Sequence, residues 1–453
     1  MNHKRIVDVQ DFIDRQRFSL FQWTILVLCF LVVAADGFDT AAVGFIAPSL
    51  VRDWGIARTA LGPVMSAALV GLGIGALVAG PIADRIGRKT VVVLSVLFFG
   101  VWSVAAAHAT SIGALTLLRF MTGLGLGAAM PNSVTLMSEY APSRIRSVIV
   151  NTMYCGFSAG VAIGGMASAW LIPHHGWQSV LMTGGLGPLV LTAFLIMLLP
   201  ESAQFMVARG RDNGRIKRVL SRIATSADLD QCSFASADSM ANRKASALGV
   251  VLSSRYRTGT VMLWLAYFMG LLIYYLLTNW MPTLFKDMGL SDRGAALMTS
   301  LFPIGGVLGN LCVGWLMDIF KPNRVIASTF AITAALVILV GHGAVHPVFL
   351  GMLIFLTGTV ATSAVTSMAT LAAGFYPTHG RATGVSWMLG VGRIGGVAGA
   401  LVGAALMGLG WQFGSVFSLL AVPALMGGIA VYAVGRPVYD SNLEENKLAP
   451  AVE

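Results

Sequence analysis

The stretch Ala34-Ala35-Asp36-Gly37-Phe38-Asp39-Thr40 decides how this chain is read. It lies inside an apolar run from Thr24 to Leu50. Counting from Trp23 at about 1.5 Å per residue, Asp36 sits roughly 20 Å into a hydrocarbon core about 30 Å thick, past its middle. Carboxylates at that depth are costly and mark ion or substrate paths. Three residues apart, the two acids share one broad helix face and can look into one cavity. The competing reading is a helix that ends early and leaves both acids among the headgroups. The apolar stretch from Ala41 to Ala47 argues against it.

Composition agrees with a membrane setting. The chain has 453 residues, 56% hydrophobic and 11% charged, with mean hydropathy +0.77. A soluble domain would carry about 25% charged residues. The net charge of +10 is therefore no nucleic-acid footprint. Cys29, Cys155, Cys232 and Cys312 show neither CxxC spacing nor a disulfide framework. About twenty polar residues precede a first apolar run of full spanning length, so no cleavable signal is expected.

Twelve apolar segments follow one another, at 24–48, 61–83, 90–107, 112–136, 147–171, 179–199, 259–281, 295–316, 324–341, 346–370, 382–406 and 412–434. Each has the length of a bilayer-spanning helix. With the N-terminus inside, the outer loops hold only Arg52, Arg58, Lys286 and Arg293 of the 30 Lys and Arg. Two more, Arg119 and Arg393, lie within spans. The rest fall on the inner side, which predicts both termini in the cytoplasm. The organisation is a six-helix half over 1–200, a cytoplasmic loop over 201–258, a second half over 259–436 and a tail over 437–453. Within the loop, Arg209–Ile223 is basic and partly amphipathic, as for a helix lying on the inner membrane face. The remainder reads equally as a disordered linker.

The halves repeat. Gly80-x3-Asp84-x3-Arg88 recurs as Gly314-x3-Asp318 followed by Lys321 and Arg324, displaced by 234 residues. Tyr140-Ala-Pro142-x3-Arg146 recurs as Tyr376-Pro377-x3-Arg381, displaced by 235 at the proline and arginine. Repeated six-helix halves are a transporter signature, with the site between them near the midplane.

Gly80-Pro-Ile-Ala-Asp84-Arg85-Ile-Gly87-Arg88-Lys89 completely matches the G-x3-D-[RK]-x-G-R-[RK] signature between the second and third helices of the major facilitator superfamily, which this chain resembles. The resemblance implies that Asp84, Arg85 and Arg88 latch the halves in one gating state. Topological anchoring by the cations alone would leave Asp84 and the glycines unexplained. Glu139 with Arg144 or Arg146, and Asp318 in the second half, are the further gating candidates. Arg119-x3-Gly123-x-Gly125-x-Gly127 fits a second pattern of the family, with glycines that allow close helix approach. The resemblance makes the first and fourth helices neighbours. Asp36 and Arg119 lie at similar depth and are expected to pair, leaving Asp39 to titrate. The alternative is that Arg119 snorkels to the outer headgroups.

The Asp36–Thr40 run, Pro131-Asn132 and Glu139-Tyr140-Ala-Pro142 look like the aromatic acid:proton symporter branch. That similarity runs from Val9-Gln-Asp-Phe-Ile-Asp14 to the twelfth helix. It implies import of a benzoate-type carboxylate such as 4-hydroxybenzoate or protocatechuate, serving aromatic catabolism, across a bacterial inner membrane. Asp36 and Asp39 are the proton-coupling candidates, because an aspartate in poorly hydrated surroundings holds a proton that neutral pH can load and unload. Arg393, about ten residues into the eleventh helix, is too deep for easy snorkelling. If Asp36 is held by Arg119, Arg393 has no permanent anionic partner and a substrate carboxylate would supply one through two parallel hydrogen bonds. A structural pair with a first-helix acid is the competing reading. Phe38, Tyr274, Tyr275 and Asn279 form either a wall for a phenyl ring or ordinary helix packing.

The fifth segment reads Gly156-x3-Gly160-Val161-x2-Gly164-Gly165, without the proline that proton-driven exporters of the superfamily carry, which counts against export. Six histidines (His108, His174, His175, His342, His346 and His379) fall in loops. No Walker loop or metal-ligand cluster is present, so ATP-driven transport and enzyme chemistry lack support. The reading is thus an all-α membrane protein of twelve helices in two pseudo-repeats. It is expected to be a monomeric secondary transporter with no cofactor beyond the proton gradient. The alternative is a proton-coupled exporter or a symporter of another organic anion. If the Asp84 motif is a gate, Asp84→Asn will lower the transport rate while the amount of protein in the membrane stays the same. Unchanged turnover at equal expression would reduce the motif to an anchor.

Overall fold

The computed structural model describes residues 5–210, 213–224, 232–235, 251–343, 346–376 and 378–434. Strand β1 (Arg5–Asp8) leads into helices α1 (Val9–Arg15), α2 (Leu20–Trp54), α3 (Leu61–Ile86), α4 (Arg88–Ala107), α5 (Ile112–Tyr140), α6 (Arg146–His175) and α7 (Gln178–Leu198). The middle of the chain supplies α8 (Ala203–Ala208), α9 (Asn213–Leu220) and strand β2 (Cys232–Ala235). The second half supplies α10 (Ser254–Asp287), α11 (Asp292–Ile319), α12 (Pro322–Gly343), α13 (Pro347–Phe375), α14 (Thr378–Gly408), α15 (Phe413–Leu419) and α16 (Ala421–Val434). Twelve spans are long and apolar enough to cross a membrane. Each coincides with one of the twelve apolar segments read from the sequence.

The twelfth segment is broken rather than continuous. Pro423 has no N–H and its ring crowds the carbonyl four residues back. That residue is Leu419, the last of α15, and Leu420 closes a tighter turn onto the Phe417 carbonyl. Other ends are set by side chains. Ser111 accepts from the Ala114 amide to start α5, and Ser291 from the Gly294 amide to start α11.

The chain divides into two compact units. Unit one comprises Met1–Ala42, Val70–Gly164 and Gln178–Arg243, and unit two comprises Val43–Leu69, Gly165–Trp177 and Lys244–Glu453. In unit one, Ile25, Val32, Phe99, Leu126, Met137 and Leu195 form the centre of the core. In unit two, Leu263, Ile326, Phe330, Met368, Met388 and Val431 do so.

Helices in lipid gain little from burying apolar surface against one another, so small residues that bring backbones together matter most. Here they reveal the repeat. A Cβ on Gly160 of α6 would collide with the Ala34 carbonyl of α2, and one on Gly395 of α14 with the Phe268 carbonyl of α10. Gly71 and Gly75 of α3 lie against the Phe120 and Leu124 carbonyls of α5. Gly305 and Gly309 of α11 lie against those of Phe355 and Thr359 in α13. Both members of each contact are displaced by 234 or 235 residues, as in the two loop motifs.

Around the central loop the outcome differs from the expectation. The basic stretch forms a helix only from Asn213, and its apolar residues do not simply meet lipid. Ile216 and Leu220, one turn apart on the same face, are buried in the core that holds Val9, Phe12 and Ile13 of α1. Strand β2 pairs in parallel with β1, which the sequence reading did not anticipate. The remainder of the loop, Pro377 and the tail from 435 lie outside the described residues.

The polar N-terminus thus contains a docked helix. Asp8 caps α1 by accepting from the Gln10 and Asp11 amides. At its other end, Asp14 accepts from the Ser143 amide at 2.7 Å and from the Gln10 side chain at 2.8 Å. Burial pushes the Asp14 carboxyl up, but the hydrogen bonds from Ser143 and Gln10 and the charge of Arg146 outweigh it, holding the group below its ordinary value of 3.8. A carboxyl whose folded value is the lower one stabilises docking above its unfolded value and ceases to do so as pH falls through the folded one. Amide exchange in α1, corrected for intrinsic rates, should therefore be slow at neutral pH and accelerate below about pH 4. Asp14→Asn should abolish that pH dependence, and an unchanged profile would show that another group docks the helix.

Candidate functional site

The seams just described carry a buried polar cluster in unit one. Asp39 of α2, Arg119 of α5 and Ser103 of α4 are each 0% exposed. Arg119 donates from Nη1 to Asp39 Oδ1 at 3.0 Å and from Nη2 to the main-chain carbonyl of Asp39 at 2.8 Å. Asp39 Oδ2 lies 2.9 Å from Nη2, an ion-pair distance, without an aligned hydrogen bond. Ser103 donates to Asp39 Oδ1 at 2.8 Å, with the Leu181 carbonyl of α7 as a second acceptor at 3.3 Å.

Arg119 therefore pairs with Asp39, not with Asp36 as expected. The reason is helical geometry: residues three apart differ by about 60° around the axis, so only one can face α5 squarely. Asp36 is also buried and accepts from Thr40 Oγ1 at 3.1 Å, one turn along its own helix. Arg119 is enclosed and does not reach toward headgroups.

The second repeat provides an internal control. Displaced by 234 or 235 residues, Asp39, Arg119 and Ser103 correspond to Ile273, Ile354 and Val337, all buried. The same helix seams thus close around apolar side chains in unit two. A buried ion pair is often no more stabilising than well-packed hydrophobic residues of similar volume. The fold does not demand charge at this place.

The remaining candidates fall elsewhere. Phe38 sits with its ring against Gly164 of α6 and Gly184 of α7, a packing position within unit one. In unit two, Tyr274, Tyr275 and Asn279 are buried on α10. Tyr274 meets Tyr275 edge-on at 5.5 Å and Phe302 at 5.8 Å between ring centres. The Tyr275 ring covers Gly396 of α14, and Tyr267 covers Gly392. Arg393 lies between those glycines, half-buried, and is not a free cation. Its candidacy rests on depth and on guanidinium chemistry.

At the start of α4 the loop motif gathers several charges. Arg88 Nε lies 3.6 Å from Glu139 Oε1, Nη1 donates to the Ala83 carbonyl at 3.1 Å, and the guanidinium covers the Phe205 ring. Glu201 Oε1 accepts from the Arg88 and Lys89 amides at 2.9 and 3.2 Å, placing an anion on the positive end of the helix. Gly87 has φ +105° and a Cβ there would strike the Glu201 carboxylate, so only glycine fits. Arg85 is exposed, Arg144 donates to the Gln16 carbonyl and Arg146 to Ser143 Oγ. For Gly80, Asp84 and Asp318 the description stops at the helical backbone.

Sequence reasoning missed Ser103, Glu201 and a set of ion pairs in unit two. Arg58 forks onto Asp287, Arg52 contacts Asp292 at 3.1 Å and Lys286 contacts it at 2.7 Å. Arg52, Arg58 and Lys286 had entered only as outer-loop charges. The signal for Glu201 was its place immediately after an apolar span, whereas Ser103 carried none.

Twelve spans in two repeats, with a buried ion pair in the first, are the build of a membrane transporter. Comparison with known proteins gives the same class. The model of the Major Facilitator Superfamily matches residues 29–297 and 263–452, and the chain belongs to that family. It is 50% identical over 429 residues to the 4-hydroxybenzoate transporter of Pseudomonas aeruginosa, covering 95% of this chain and 96% of that protein. It is 48% identical over 430 residues to the gallate transporter of Pseudomonas putida, covering 95% of each. These relatives put the chain in the aromatic acid branch. A D-xylose-proton symporter structure superposes with a TM-score of 0.69 at 17% identity, over 92% of this chain and 98% of that one.

Removing one partner of a buried pair costs about 3–5 kcal/mol, because the other charge is stranded. Asp39→Ile alone should therefore lower the melting temperature in detergent markedly. The triple variant Asp39→Ile, Arg119→Ile, Ser103→Val, which copies the second repeat, should melt near wild type yet fail to drive accumulation. A triple variant as unstable as the single one would make the cluster structural.

Proposed function

We propose that this chain imports a benzoate-type aromatic carboxylate, with 4-hydroxybenzoate and protocatechuate as first candidates, by proton symport with alternating access. It works as a monomer in a bacterial cytoplasmic membrane, with both termini in the cytoplasm. The proton gradient drives it and no cofactor takes part. The observation that carries this reading is the charged cluster of Asp39, Arg119 and Ser103, present in one repeat and replaced by apolar residues in the other. Half the residues are shared with a 4-hydroxybenzoate transporter, which supports the substrate class.

In this reading Asp39 and Asp36 carry the coupling proton. Arg393 holds the substrate carboxylate, since a planar guanidinium matches it with two parallel hydrogen bonds. Tyr274 and Tyr275 offer ring edges and hydroxyls to an aromatic acid, and Asn279 an amide one turn further along. The charges around Arg88, Glu139 and Glu201, together with Asp84, Arg85 and Asp318, belong to the gate. Exposed pairs contribute about 0–1 kcal/mol each, enough to bias a near-balanced equilibrium between states.

Purified protein in liposomes with an imposed inward proton gradient should accumulate labelled 4-hydroxybenzoate, and collapse of the gradient should stop it. The Asp36→Asn, Asp39→Asn double variant should only equilibrate the substrate, and uphill accumulation by it would sink the coupling assignment. Arg393→Lys keeps the charge but loses the fork, so binding by calorimetry should weaken by about tenfold, and the matching benzamide should lose less. Equal affinity of wild type and Arg393→Ala for the carboxylate would remove Arg393 from the site.

A further inference from the structure

Arg119 keeps hydrogen-bond acceptors on Asp39 whether or not the side chain is ionised. Arg119 Nη2 donates to the main-chain carbonyl of Asp39, an acceptor that protonation of the side chain does not touch. Nη1 donates to Oδ1, which remains an acceptor as the carbonyl oxygen of a protonated carboxyl. Oδ2 is the oxygen that accepts no hydrogen bond. The third bond is the variable one. The Ser103 hydroxyl has one hydrogen and two acceptors, Asp39 Oδ1 at 2.8 Å and the Leu181 carbonyl at 3.3 Å.

Resting on the reading of Asp39 as a proton carrier, we propose that Ser103 is a positioning residue for its carboxylate. With Asp39 ionised, Ser103 donates to Oδ1 and stabilises the anion. When Asp39 takes up a proton, its carboxyl becomes a weaker, neutral acceptor and the hydroxyl turns to the Leu181 carbonyl. Arg119 stays tethered through the Asp39 main chain in both states. The Ser103 hydroxyl therefore keeps an acceptor in both states. The swing also couples α2 to α7 through α4, because the hydroxyl bonds α2 in one state and α7 in the other.

Within unit one the charged groups facing Asp39 are few. Arg119 comes from α5, and Asp36 lies one turn before on α2. Past Lys89, α4 has no charged residue, α7 has none, and α6 has none between Arg146 and its terminal histidines. In the second repeat Val337 stands where Ser103 does, beside apolar counterparts of the ion pair. The hydroxyl is thus present only in the repeat that carries the ion pair.

The test is a titration of purified protein followed by infrared difference spectroscopy of the carboxyl C=O band, with pH-dependent uptake of 4-hydroxybenzoate measured alongside. Asp39→Asn should remove one band. In Ser103→Ala, loss of a donor that serves only the anion should move the midpoint of that band, and of the uptake profile, to higher pH. A bond worth tenfold in the proton equilibrium corresponds to about one pH unit. Ser103→Thr, which keeps the hydroxyl, should restore the wild-type midpoint. An unchanged midpoint in Ser103→Ala would overturn the role of Ser103 while leaving Asp39 as carrier. If Asp39→Asn removes no band, Asp39 does not titrate and both readings fall. The infrared readout needs no substrate, so a wrong substrate assignment would show separately, as absent uptake with the band shift intact. Should Ser103→Ala fail to accumulate, Ser103→Cys, a poor donor of similar size, must shift the midpoint in the same direction, and a wild-type midpoint would refute the proposal.

Discussion

The contact between Asp39 and Arg119 is the constraint on which the rest of unit one depends. Neither group tolerates hydrocarbon alone, so each must hold the other wherever the helices go. Arg119 grips both the side chain and the backbone of Asp39, which fixes α5 against α2 in depth and in rotation. Ser103 extends the contact to α4, and the Leu181 carbonyl extends it to α7. Four helices therefore converge on one carboxylate. A change in its charge is felt by all of them.

Such convergence needs backbones that lie close together, and glycine supplies that. The seam between α2 and α6 closes at Gly160 over the Ala34 carbonyl, and that between α10 and α14 at Gly395 over the Phe268 carbonyl. The two units share these seams but fill them differently. Unit one places a buried polar cluster where unit two has Ile273, Ile354 and Val337. Unit two in turn lays Tyr267 and Tyr275 over glycines of α14 on either side of Arg393. Duplication explains the common scaffold. The different fillings set a buried ion pair in one half against aromatic rings and a guanidinium in the other.

Charges at the helix ends show the same economy. Glu201 serves as an anion for the first amides of α4, and Gly87 leaves the space it occupies. Arg52, in the last turn of α2, and Arg58, just after it, reach Asp292 and Asp287 beside the α10–α11 turn. Pairs this exposed are weak singly and are screened by salt.

The twelve spans, the repeat and the burial of Asp36, Asp39 and Arg119 were legible in the sequence, because hydrocarbon punishes misplaced charge so strongly that the pattern is written residue by residue. The break before Pro423 was legible in principle, since the cause is local and covalent. What the sequence could not decide was which acid Arg119 takes, because that turns on the relative rotation and register of two helices 80 residues apart in the chain. Nor could it single out Ser103, a residue type common in any span, or show that Ile216 and Leu220 dock on protein. Single-residue chemistry and spacing fix what must be buried or paired; only tertiary packing chooses the partner, because partners are selected by direction and distance between elements that the sequence specifies separately.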